Sequence, residues 1–208
     1  CQLRSRLVFI AAGVGAFAPK KVKAEGIEAF EGLQVHYEQS PPGASLAGQA
    51  VVVHGGDAAA VDCALQLAEA AVPPSSITLL HRRDQFQASD DALVQLQTLR
   101  EAGRIQVVAG QILGIETAEG PKGLRLAALQ LLNHEGQSQR LPLDQLLVWL
   151  GLSPKLGPMA EWGLAMAKRQ LAVDPATFST NAPGIYAVGD VVSYPGKRKL
   201  IVCGFHEA

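Results

Sequence analysis

Cysteine is scarce in this chain and badly placed for redox or metal work. Cys1, Cys63 and Cys203 are scattered and odd in number. They form no CxxC pair and no disulfide framework, and each reads as a small buried hydrophobe. His36, His54, His81, His134 and His206 stand apart, without Cys or Asp/Glu at ligand spacing, so no metal site is expected. Charge of neither sign dominates. A formal net charge of -1 on 208 residues gives no general pull toward nucleic acid or a membrane, and any basic site must be local. The longest apolar stretch, Leu7 to Ala18, is interrupted by two glycines and too short to span a bilayer. No Gly-x-Ser-x-Gly turn exposes a nucleophilic serine. The first residues show no signal-peptide organisation, and a reducing cytoplasm is the expected setting.

What is present is a good-sized core. With 48% hydrophobic and 18% charged residues, the chain suits one large or two small globular domains. Val51-Val52-Val53 reads as a buried strand, Gly55-Gly56 as a tight turn, and Ala58 to Ala71 as an Ala/Leu-rich helix broken by Pro73-Pro74. Ile77 to Leu80 is strand again. That order is one βαβ unit, whose glycine turn lets the pyrophosphate of a dinucleotide approach the backbone at a helix N-terminus. The second strand ends in His81-Arg82-Arg83, with Arg82 placed 27 residues after the glycine pair. An acid there would accept hydrogen bonds from a free ribose 2′-hydroxyl, whereas adjacent arginines offer forked donors to a 2′-phosphate. The expected cofactor is therefore NADP(H). The competing reading is a solvated loop that happens to be basic.

Downstream, Leu93, Leu96 and Leu99 give Asp90 to Glu101 a helical face, followed by a strand over Ile105–Ala109. Gln111–Thr117, Leu124–Asn133 and Ser138–Leu141 look like antiparallel strands. Leu146–Leu150 is a wholly apolar strand, and Ile185–Val188 is a strand ending at Gly189-Asp190. Tyr37 to Gly48 and the Gly151–Pro154 break have linker composition. The expected class is α/β: a Rossmann-like NADP-binding domain over residues 43–150, inserted between a partial FAD-binding segment (1–42) and its C-terminal segment (151–208).

Gly189-Asp190, Tyr194-Pro195-Gly196-Lys197-Arg198-Lys199-Leu200 and Cys203-Gly204-Phe205-His206-Glu207-Ala208 closely resemble ferredoxin–NADP reductases of the thioredoxin-reductase-like class. His81-Arg82-Arg83-Asp84 is similar to that family's 2′-phosphate motif. The resemblance runs over nearly the whole chain. It implies a dimeric flavoprotein passing electrons between NADP(H) and ferredoxin or flavodoxin through FAD. It also implies that Asp190 bonds the FAD ribitol, that the segment ending at His206-Glu207 flanks the isoalloxazine, and that Ala12-Gly13 approaches the same flavin. Hydride transfer requires no protein acid or base, so no catalytic residue is named.

Three departures stand out. The family's FAD-pyrophosphate motif is absent, and both ends of the chain read as cut, so a piece of a longer enzyme, itself doubtful as a flavin carrier or catalyst, is expected. The G-x-G-x-x-A turn becomes Gly55-Gly56-Asp57-Ala58-Ala59-Ala60, with Asp57 in the place of the second glycine; a register starting at His54 is less favoured. A carboxylate about 5 Å from one pyrophosphate charge costs about 3 kcal/mol at an effective dielectric near 20. Gln87 stands where a further arginine is common. Thioredoxin reductase is excluded as an alternative because Val35-His36-Tyr37-Glu38-Gln39 carries no thiol pair. Two alternatives stay open: an isolated NADP-binding module without catalysis of its own, and another thioredoxin-reductase-like pyridine-nucleotide oxidoreductase lacking the CxxC. Lys197-Arg198-Lys199 reads as a solvated basic loop or a contact for an acidic partner, not as a nucleic-acid site.

Overall fold

The computed structural model describes residues 4–13, 15–42, 45–121 and 123–208. Contacts divide the chain into two units: Cys1–Ala18 with Leu152–Ala208, and Pro19–Gly151. The opening segment carries β1 (Val8–Ile10) and β2 (Ala16–Pro19). The long middle unit contains β3 (Val35–Tyr37), β4 (Ala50–Gly55), α1 (Ala58–Glu69), β5 (Ser76–His81), α2 (Asp90–Glu101), β6 (Gln106–Ala109), β7 (Gln111–Gly120), β8 (Gly123–Leu132), β9 (Ser138–Pro142) and β10 (Gln145–Trp149). The final segment carries β11 (Leu152–Lys155), β12 (Met166–Ala167), β13 (Gln170–Ala172), β14 (Ile185–Ala187), β15 (Val192–Ser193) and α3 (Ile201–Glu207).

The middle unit is the expected α/β fold. Its five strands run parallel in the order β3-β10-β4-β5-β6. Strands covered on both faces read as unbroken apolar runs, which is why Val51–Val53 and Leu146–Val148 carry no alternation. One face packs Val51, Val53, Leu79 and Leu147 against Val61, Ala64 and Leu65 of α1 and against Leu96 and Leu99 of α2. The other face packs Val52, Leu80, Leu146 and Val148 against Leu126, Leu129 and Leu131 of β8, so the antiparallel sheet β7-β8-β9 covers the side the helices leave open.

The helix ends follow local chemistry. Ser89 caps α2 through the Ala92 amide at 3.3 Å, with Asp90 and Asp91 in the first turn and Arg100 in the last, each placed to complement the helix dipole. α1 stops at Glu69, ahead of Pro73, and the Arg104 guanidinium donates to the Ala68 carbonyl left over at its end.

Residues 19–42 group with the inserted unit, not with the segment before them, because β3 is the edge strand of its sheet and Val35 to Tyr37 pair with Leu146 to Val148. The expected division after residue 42 therefore falls instead after Ala18; Gly43, where the second segment was expected to open, lies outside the described residues. The other unit pairs β1 with β14 in parallel, joins β2 to β11, and builds the sheet β12-β13-β15. Ile10, Leu171, Ala187, Val191 and Val192 form its core.

Candidate functional site

In the middle unit the sequence-marked residues gather at the carboxyl ends of β4 and β5. In parallel sheets this is the edge where ligands bind, at the point where strand order reverses; here β10 lies on one side of β4 and β5 on the other. His54 is inside β4, paired with Leu80 and Val148, and its ring nitrogen Nδ1 bonds the Leu80 carbonyl at 3.0 Å. Burial lowers its pKa below the ordinary histidine value, so the ring is neutral and Nδ1 is the donor. His54 and Gly55 are both paired within β4, Gly55 with Trp149, so the strand runs through the first glycine of the Gly55-Gly56 pair.

Neither glycine of the turn is idle space. A Cβ on Gly55 would run into the Trp149 carbonyl oxygen and come within 2.7 Å of the Ala60 Cβ, so Gly55 allows α1 to pack against the sheet. A Cβ on Gly56 would stand 2.5 Å from Nε2 of His81. Asp57 is the N-cap of α1, extended at φ -97° and ψ 177°, and its Oδ1 accepts from the Ala60 amide at 3.2 Å. Its carboxylate therefore fills a capping position that an anion at this helix end would share. Ala58 and Ala59 open the helix and are exposed.

The arginine tip is knitted to this turn. His81 places Nδ1 3.0 Å from the Arg83 carbonyl and 3.1 Å from that of Gln85, so Nδ1–H donates to both. The Gln87 amide donates to the Gly56 carbonyl at 2.8 Å, and Arg100 holds Asp84 through two nitrogens at 2.8 and 3.2 Å. Arg82 and Arg83 are exposed and take part in no ion pair among the described residues. The position that lacks a third arginine, Gln87, contributes its backbone instead. His81 organises the loop through Nδ1, a role that residue type and spacing did not reveal.

In the other unit the marked residues follow β1, follow β14 or lie in α3. Gly189–Val191 form one 3-10 turn, entered through Gly189 at φ 80°, a left-handed value that favours glycine. Asp190 is half-buried. Gln170 donates its side-chain amide to the Asp190 carbonyl at 2.7 Å and to that of Val192 at 3.2 Å. The Asp190 carboxylate itself has no protein partner among the described residues. Ala12 is half-buried, and Gly13 is exposed in a left-handed conformation at φ 59°. His206 is exposed on the last turn of α3.

Glu207 behaves differently from its neighbours. Its side chain is 0% exposed and that of Lys197 only 7%, which corrects the reading of Lys197 as part of a solvated loop. One carboxylate oxygen accepts the Gly189 amide at 2.6 Å; the other accepts the Tyr194 hydroxyl at 2.7 Å and the Lys197 ammonium. Burial pushes the carboxyl pKa up, but the Lys197, Tyr194 and Gly189 donors together hold it below the ordinary value. The hydrogen bond to Glu207 pushes the Tyr194 phenol up to about 12. The bonds of Tyr194 and Lys197 to Glu207 were not foreseen, because nothing in their spacing announces a contact.

These arrangements suit the two groups that the sequence implied. Two exposed guanidinium groups, unpaired among the described residues, on a loop bonded to the turn ahead of α1 fit a phosphorylated nucleotide. An unpartnered carboxylate at a strand end fits a polyhydroxyl chain, since it can only accept.

The family model described as pyridine nucleotide-disulphide oxidoreductase matches residues 2–208. A ferredoxin–NADP reductase of Acidovorax sp. is 62% identical over 208 residues, covering 99% of this chain and 57% of its own length. One from Verminephrobacter eiseniae is 53% identical over 207 residues, covering 100% and 58%. The chain thus spans a little over half the length of these relatives. Among solved structures, a thioredoxin reductase of Lactococcus lactis aligns with TM-score 0.60 at 24% identity, over 97% of this chain and 62% of its own. A bacillithiol disulfide reductase from Staphylococcus aureus aligns with TM-score 0.62 at 20% identity, over 97% and 60%. At such identities these two establish shared fold alone, and the resemblance noted in the sequence is borne out by the reductase relatives.

Proposed function

Because the chain belongs to the pyridine nucleotide-disulphide oxidoreductase family, we propose that it forms the NADP(H)-binding unit and part of the flavin-holding unit of a reductase working between NADP(H) and ferredoxin or flavodoxin. The observation that carries this is the pair of exposed, unpaired arginines, Arg82 and Arg83, on a tip tied to the glycine turn by His81 and Gln87. Their forked donors grip the 2′-phosphate, which NADH lacks. The α1 N-terminus faces the pyrophosphate with backbone amides while Asp57 opposes it, so the grip on the phosphorylated ribose dominates affinity. Asp190 accepts from the hydroxyls of the flavin's ribityl chain, with Ala12 and Gly13 contributing a small-residue approach to the same group.

The chemistry supplied by bound FAD is exchange of a hydride with NADP(H) and of single electrons with an iron–sulfur or flavin partner. The protein's residues bind and orient; none is required to move a proton. Ferredoxin as the electron partner is supported by the names of the relatives, and the exposed Arg198 and Lys199 suit an acidic partner surface. A cytoplasmic homodimer completes the proposal, supported by the scattered cysteines and the family resemblance.

The deciding experiment is a titration of the chain and of Arg82→Ala/Arg83→Ala with NADPH and NADH. Two charge-assisted contacts of about 1.5–3 kcal/mol each make the expected loss of discrimination roughly 100-fold or more. Unchanged discrimination removes the proposal.

A further inference from the structure

Glu207 lies within the stretch expected to flank a flavin, yet its carboxylate is wholly occupied by this chain. Gly189, Tyr194 and Lys197 supply its donors, and no part of the side chain reaches solvent. Tyr194 is itself steadied by Phe178, whose ring meets it edge-on at 5.9 Å. An ion pair so enclosed contributes little net stability compared with apolar residues of the same size, so packing alone does not account for it.

Its geometry does. The Gly189 amide is the first donor of the turn that presents Asp190, and Glu207 holds it from the α3 side. Gln170 holds the same turn from the β13 side through the Asp190 and Val192 carbonyls. The backbone on both sides of Asp190 is fixed, while its carboxylate is left free. We propose that Glu207 is a positioning residue: with Tyr194 and Lys197 it forms a buried clasp that sets the Gly189–Asp190 turn in its ligand-ready shape. Its bearing on flavin rests on the function proposed above; its hold on the turn does not.

Glu207→Gln preserves size and removes the charge that Lys197 and the Gly189 amide answer. Backbone amide exchange is measured on the chain without flavin. Exchange at least tenfold faster at residues 189–192, with the β4, β5 and β10 amides unchanged, is the expected result. Unchanged exchange in the turn overturns the proposal, and so does acceleration spread evenly over the whole unit, which marks a merely structural residue. Tyr194→Phe keeps the ion pair and removes one donor; it serves if the first variant fails to fold, with a smaller increase confined to the same residues. A parallel FAD titration adds Asp190→Ala and the double variant. If Glu207 works through Asp190, each single change weakens binding about tenfold and the double change weakens it no further. Additive losses, or FAD bound equally well by Glu207→Gln, overturn the positioning role. A wild-type chain that takes up no FAD leaves amide exchange to decide the clasp alone.

Discussion

Gly56 is a glycine because His81 lies against it: a side chain at residue 56 would place its Cβ 2.5 to 2.7 Å from three atoms of the imidazole. His81 cannot retreat freely, since Nδ1 bonds the carbonyls of both Arg83 and Gln85. Turn and arginine tip are therefore one object, and a methyl group in the turn should displace arginines that it never touches. Gly56→Ala is expected to weaken NADPH binding about tenfold and to cost about 1–3 kcal/mol of stability, the usual range for overpacking. Isothermal titration together with denaturant unfolding checks both; NADPH binding at wild-type strength would show that the tip is independent of the ring.

Asp57 offers the opposite experiment. Its carboxylate caps α1 while placing a negative charge where a pyrophosphate seeks amides. Asp57→Asn retains a good cap and removes the charge, so NADP(H) should bind more tightly, by up to about 3 kcal/mol at an effective dielectric near 20. The gain should shrink as salt is raised. Affinity unchanged by the substitution would mean that the phosphates pass the helix end at a distance.

The clasp around Glu207 has a pH signature with a definite sign. The Tyr194 pKa is raised from 10.0 to about 12 by its bond to Glu207, so the stabilisation it brings is complete below pH 10 and disappears as pH rises through about 12. The Glu207 pKa is lowered despite burial. Its contribution is present above the ordinary value of 4.5 and is lost as pH falls through the folded-state pKa. Melting curves should therefore plateau between these limits. Tyr194→Phe should cost about 1.5–3 kcal/mol at neutral pH, as for a bond to a charged group, and should weaken the alkaline decline. A decline equally steep in that variant would place the titrating group elsewhere.

The sequence was most legible where apolar runs are long and bounded. The βαβ unit, the apolar face of α2, and the strands of the β7-β8-β9 sheet follow from periodicity and from turn residues alone. β3 did not, for a physical reason. Three residues, Val35-His36-Tyr37, are too few for a period, and their partner β10 lies more than 100 residues away. That single omission shifted the expected boundary of the inserted unit. The arginine tip was readable because guanidinium groups advertise themselves at a strand end. The His81 bridge and the Glu207 clasp were not, since a donor bound to a backbone carbonyl and a lysine turned inward carry no mark in the letters.

The Lys20 amide bonds the Gly151 carbonyl at 3.0 Å, so the chain enters and leaves the middle unit side by side. A body whose two ends nearly touch can be spliced into a host loop as a closed cassette, or cut out and its ends joined by a short bridge, without unthreading its sheet. Exchanging residues 19–151 as a block is thus a route by which recombination can replace the nucleotide specificity proposed for this unit.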